Sequence, residues 1–102
     1  MQRPGGFLPV SFLEKDMDLN VIREQIDAVD RELIPLFTAR MKLSAEVAEY
    51  KRENNMPVYD PVREAAILDR VAEAAGDLAP YARRLYEALM RESRAYQEEL
   101  LK

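Results

Sequence analysis

The 102-residue sequence contains no cysteine and no histidine. Disulfides and thiolate zinc sites are therefore excluded, and cysteine usage says nothing about redox compartment. A Ser-His or Cys-His nucleophile pair cannot be assembled, and neither can an HExxH metal motif. Any chemistry must run on carboxylates, cations and amides, with no metal and no cofactor expected. Glycine is scarce, with three residues, and no Gly-rich phosphate loop is formed from them. No apolar run approaches the ~18 residues of a membrane span. Phe7-Leu8-Pro9-Val10 is too short and too broken by proline to serve as the core of a signal peptide, so a cytoplasmic protein is expected. Basic charge is in deficit: 15 Lys+Arg stand against 19 Asp+Glu, for a net charge of -4. That balance argues against non-specific nucleic-acid binding, which needs a basic surface.

What is present fits a helical protein, with 48% hydrophobic and 33% charged residues. A chain this short makes one domain with a modest core, and a second copy would bury much more. Residues 1–18, with Pro4, Gly5, Gly6 and Pro9, read as an irregular arm. Residues 19–102 form the domain. A long helical pattern starts at Asp18 or Asn20, either of which can cap it, with acidic residues in the early turns. Its apolar stripe runs Ile22, Ile26, Val29, Leu33, Leu36, Leu43, Val47 in steps of three and four. The pattern continues to about Lys51–Asn54. A helix of ~33 residues extends ~50 Å, more than one small globule can cover. Pro35 lies inside it and predicts a kink rather than a break, because the stripe keeps phase across it.

Asn54-Asn55-Met56-Pro57 ends this helix, and Asp60-Pro61 restarts the chain as a second, with Asp60 as N-cap and Pro61 at the first helical position. The second helix carries Val62, Ala65, Ala66, Leu68 and Val71 and ends near Gly76. Asp77–Pro80 is a turn. A third helix from Pro80 shows Tyr81, Leu85, Leu89, Tyr96 and Leu100 on one face. The expected architecture is an all-α, three-helix chain with a long first helix and no strand or repeat.

Several polar residues sit where an apolar stripe should carry Leu or Val, notably Arg40 and Gln97. Burying such groups is costly unless something pairs with them. Arg40 and Lys51, eleven apart, fall within ~20° of one helix face. Arg23, seventeen residues before Arg40, is ~25 Å away along the axis and ~100° around it. It either belongs to no site or reaches one built by another subunit. Antiparallel pairing of two first helices would bring Arg23 of one chain near Lys51 and Arg40 of the other, in a two-fold dimer. Asp60, Arg63 and Glu64 share the first turns of the second helix, whose N-terminus favours an anion. Ser93 and Gln97, one turn apart, extend the face of Leu85 and Leu89. Together these residues predict a pocket for a compact dianion.

Each has an ordinary explanation taken alone. Arg23 could pair with Asp27 or Asp30 on its own helix. Arg40 could snorkel outward and Lys51 could complement a helix C-terminus. Arg63 and Glu64 could be solvated, and Ser93 and Gln97 could bond within a helix interface. One ligand explains all of them at once.

The segments Ile22–Asp30, Leu33–Arg40, Val47–Lys51, Pro57–Glu64 and Glu92-Ser93 with Gln97 resemble the all-helical class of chorismate mutases over about residues 19–102. The resemblance implies an intertwined homodimer with Arg23 donated across the interface. It implies that Arg23, Arg40 and Arg63 hold the two carboxylates of chorismate with help from Ser93. Lys51 and Gln97 would contact the ether oxygen, while Glu64 and the backbone around Asp60 hold the ring hydroxyl. Lys51, Gln97 and Arg40 would be the catalytic groups. The implied reaction is a concerted rearrangement of chorismate to prephenate, on the route to Phe and Tyr. It needs neither proton transfer nor covalent intermediate, so missing His and Cys is no obstacle. Isochorismate pyruvate lyase shares the frame, but the Asp60–Glu64 run and the Ser93/Gln97 pair resemble the mutase more. A regulatory or docking module that partners another shikimate-pathway enzyme is the rival outside catalysis.

Overall fold

The computed structural model describes residues 18–102. The arm expected over residues 1–18 lies, apart from Asp18, outside the described residues. Three α-helices follow in order: α1 (Leu19–Glu53), α2 (Pro61–Ala75) and α3 (Ala79–Leu100), with a 3-10 turn at Gly76–Leu78 between the last two. Among the described residues there is no strand, as expected for an all-α chain. The chain divides into two compact units, residues 1–39 and 40–102.

The described part of the first unit is the N-terminal stretch of α1. Asp18 caps it: its Oδ1 accepts from the Asn20 N–H at 2.9 Å and its carbonyl from the Ile22 N–H at 3.1 Å. The first turn holds no acidic residue. The expected early acids begin only at Glu24. α1 is helical through Pro35, so the sequence phase across that proline is kept without a break. Ile26, Leu33, Leu36 and Phe37 are all exposed, which leaves the apolar stripe of this unit largely uncovered.

The second unit contains the last turns of α1 together with α2 and α3. α1 ends in a Schellman motif. Asn55 takes the left-handed conformation at φ 56°. The Met56 N–H donates to the Lys51 carbonyl at 2.8 Å and the Asn55 N–H to the Arg52 carbonyl at 3.3 Å. Asn suits this position because it tolerates positive φ better than other side chains. α2 opens as expected, with the Asp60 Oδ1 accepting from the Arg63 N–H at 3.0 Å and Pro61 in the first turn. Gly76 ends it at φ 60°, where a side chain would be strained.

α2 packs on α3. Among the described residues the buried apolar ones are Ala48, Ile67 and Met90. Burial therefore follows different faces from the expected stripes. In the last turns of α1 the inward residues are Ser44, Ala48 and Lys51, while Leu43 and Val47 stay exposed. In α3 they are Met90, Ser93 and Gln97, whereas Tyr81, Leu85, Tyr96 and Leu100 are exposed. α2 turns Ile67 inward and leaves Val62 80% exposed. Ser44 of α1 and Ser93 of α3 touch through their hydroxyls, 2.6 Å apart, a contact made by small side chains.

Candidate active site

Among the described residues more polar than apolar ones are buried: Ser44, Lys51, Ser93 and Gln97 against Ala48, Ile67 and Met90. An interior of this kind needs partners for its polar groups. All four border one cavity of about 260 Å³, near the small end of ligand sites, which start at ~300 Å³. Its wall is drawn from the end of α1, the Val58–Asp60 link, the first turns of α2 and the second half of α3. The second unit thus supplies the whole wall.

Seven of the eight expected residues line the cavity: Arg40, Lys51, Asp60, Arg63, Glu64, Ser93 and Gln97. Arg23 does not; it belongs to the other unit and is exposed. Among the described residues no ion pair joins Arg23 to Asp27 or Asp30.

Lys51 is held by geometry. Its Nζ donates to the Val58 carbonyl at 2.6 Å, and only 9% of the residue reaches solvent. An ammonium has three N–H donors, so two remain for another acceptor. Its own carbonyl accepts the Schellman bond, which fixes the helix end beneath it. Arg40 is half-buried, with its guanidinium carbon 5.9 Å from the centre of the Tyr86 ring. Arg63 follows from the Asp60 cap, because its N–H is the group the cap binds.

Glu64 has a partner that the sequence did not predict. Arg94 Nη1 donates to both of its carboxylate oxygens, and the same guanidinium lies 4.9 Å from the centre of the Tyr59 ring. This ion pair raises the Arg94 pKa above its ordinary value. Arg94 also lines the cavity. Nothing in helical spacing alone links two residues thirty positions apart on different helices.

Ser44 is the second residue sequence reasoning missed. Its hydroxyl lies 2.6 Å from that of Ser93. Gln97 Nε2 donates to the Ser93 oxygen at 3.3 Å, which leaves the buried Gln97 Oε1 with no partner. A signal existed for Ser44, which falls four residues after Arg40 and seven before Lys51, on their face.

Four cations (Arg40, Lys51, Arg63, Arg94) and two carboxylates (Asp60, Glu64) line the space. The surplus of two positive charges matches a dianion. Among the described residues no group of three acidic side chains is placed to hold a metal ion.

The family model described as "Chorismate mutase type II" matches residues 22–98. The chain belongs to the type II chorismate mutase family. Among curated relatives, a protein named "T-protein" from Haemophilus influenzae is 40% identical over 89 residues, 84% of this chain and 23% of the relative. A "Bifunctional chorismate mutase/prephenate dehydratase" from Enterobacter agglomerans is 35% identical over 92 residues, 87% of this chain and 24% of the relative. A "Chorismate mutase" from Methanocaldococcus jannaschii is 40% identical over 50 residues, 49% of this chain and 50% of the relative. The chain thus spans about a quarter of the length of the first two. No solved structure matches it significantly. The type II family resemblance read from the sequence is borne out, and with it the all-α fold.

Proposed function

We propose that the chain is a chorismate mutase domain that converts chorismate to prephenate in aromatic amino acid biosynthesis. The observation that carries this is the cavity with two surplus positive charges and with Lys51 and Gln97 buried in its wall. In a concerted rearrangement one C–O bond breaks and one C–C bond forms within a single molecule. No proton leaves and no enzyme bond forms. The protein must hold a compact conformer, which is catalysis by positioning. Arg40 and Arg63 grip carboxylates, and Glu64 with the backbone around Asp60 meets the ring hydroxyl. Negative charge grows on the ether oxygen as the C–O bond stretches. The two free donors of Lys51 and the Gln97 amide stabilise it more in the transition state than in the ground state.

Two copies pair as an intertwined homodimer, and Arg23 of the second copy completes the carboxylate grip. Support comes from the exposed stripe of Ile26, Leu33 and Leu36 and from the short list of buried apolar residues. No described helix is long and apolar enough to cross a membrane, and the reaction belongs with the other steps of its pathway in the cytoplasm. An enzyme that consumes prephenate is the natural partner, in keeping with the bifunctional names of the relatives.

The test is loss of chorismate absorbance on adding the pure protein, with prephenate identified as product and isochorismate assayed in parallel. Lys51→Ala should lower kcat by at least the ~100-fold typical of one lost oxyanion donor. Wild-type protein inert on chorismate, or a Lys51→Ala variant as fast as wild type, would overturn the assignment.

A further inference from the structure

The buried chain Ser44–Ser93–Gln97 has two possible directions, and only one suits the reaction. A hydroxyl rotates, and an amide exchanges its oxygen and nitrogen by turning half a circle about its last side-chain bond. In one direction Gln97 Nε2 donates to Ser93 at 3.3 Å and Oε1 is left buried without a partner. An unpaired acceptor there would repel an ether oxygen that is gaining negative charge. In the other direction the Ser44 hydroxyl donates to Ser93, Ser93 donates to Gln97 Oε1, and the Nε2 hydrogens take the unpaired place, ready to donate.

We infer that Ser44 is a positioning residue: its hydroxyl, 2.6 Å from Ser93, sets the direction of the chain so that Gln97 presents Nε2 rather than Oε1 to the reacting oxygen. This deepens the mutase reading and rests on it. Ser93 has one proton. Given to Gln97, that proton is not available to a carboxylate, so Ser93 acts on the amide and the arginines hold the carboxylates. Ser44 never touches the substrate in this scheme. Its placement is set by the fold: α1 and α3 meet through these two serines, each under 10% exposed.

The test compares wild type, Ser44→Ala and Ser44→Thr in the full chain. Ser44→Ala should lower kcat about three- to tenfold, the range of one net hydrogen bond, with KM for chorismate within about twofold. Ser44→Thr keeps the hydroxyl and should restore most of kcat. Equal kcat in wild type and Ser44→Ala overturns the proposal. So does equal impairment of both variants, which would indicate packing, or a change confined to KM. A second measurement does not depend on turnover: the Gln97 side-chain amide resonance, identified by its absence in Gln97→Glu, should shift in Ser44→Ala and return in Ser44→Thr. If wild type proves inert on chorismate, the mutase reading falls by itself. The Ser44–Ser93–Gln97 coupling is then judged by the resonance, and an unmoved resonance overturns it.

Discussion

Replacing Arg94 by alanine removes the guanidinium that reaches both oxygens of Glu64 and covers the Tyr59 ring. Fully exposed pairs contribute ~0–1 kcal/mol, whereas breaking a buried pair costs ~3–5 kcal/mol. With side chains 32% and 20% exposed, Arg94 and Glu64 lie between these limits. Solvent still reaches both groups, so the lower part of the interval applies, about 1–2 kcal/mol. For a domain of this size that lowers Tm by roughly 5–15 °C. The pair's pH behaviour on the basic side follows from the raised Arg94 pKa. A raised cation contributes fully below its ordinary value and is lost only as pH climbs through the raised one, so its contribution stays constant from pH 6 to 9. Thermal unfolding of Arg94→Ala, Glu64→Gln and the double variant closes a cycle. The double variant should cost less than the two single losses together, because each single change leaves a partner behind. Strict additivity, or an Arg94→Ala variant as stable as wild type, would refute the claim that this pair holds the start of α2 against α3.

Two further predictions concern the site. Neither Arg23→Ala nor Arg40→Ala should turn over alone, but a re-equilibrated equal mixture should regain roughly a quarter of wild-type activity. Half the dimers are then mixed, and one site in each has both arginines; no recovery would count against a shared site. Activity should be flat from pH 6 to 8 in wild type, because Gln97 is an amide and the cavity holds no histidine or cysteine. In Gln97→Glu, a carboxylate facing the reacting oxygen should donate only when protonated, so activity survives toward acid pH and falls as pH rises. A flat profile in that variant would remove Gln97 from the ether oxygen.

The helices and their ends were legible because their signals are local. Asp60-Pro61 opened α2 and Gly76 closed it, and Asn55 closed α1, each through a conformation that one residue type prefers. Polar residues out of place on helix faces pointed to the cavity, and seven of the eight line it. The inward faces were not legible. Leu43 and Val47 carry the stronger apolar signal, yet Ser44 and Ala48 are the buried residues of that stretch. Side-chain size decides how closely helices approach, and hydrophobic periodicity does not record it. Arg94 escaped notice for another reason: its partner Glu64 is on a different helix, and no spacing within one helix connects them.

The displaced faces bear directly on how the site works. A small-residue face against α3 places two serines in contact, and with them a hydrogen-bond chain that ends on Gln97. Had Leu43 and Val47 turned inward, the same turns of α1 would have presented no hydroxyl to α3, and Lys51 would have rotated off its bond to the Val58 carbonyl. Close approach, the buried ammonium and the oriented amide are therefore one arrangement, set by the Ser44–Ala48–Lys51 register of a single helix. The exposed leucines are what that register leaves over: an apolar row along α1 that no described residue of its own unit covers between residues 18 and 39. In water such a row favours association. A helix pairing there would bury it and, by the antiparallel spacing of Arg23 against Arg40, deliver one more cation to a cavity that already carries a positive surplus.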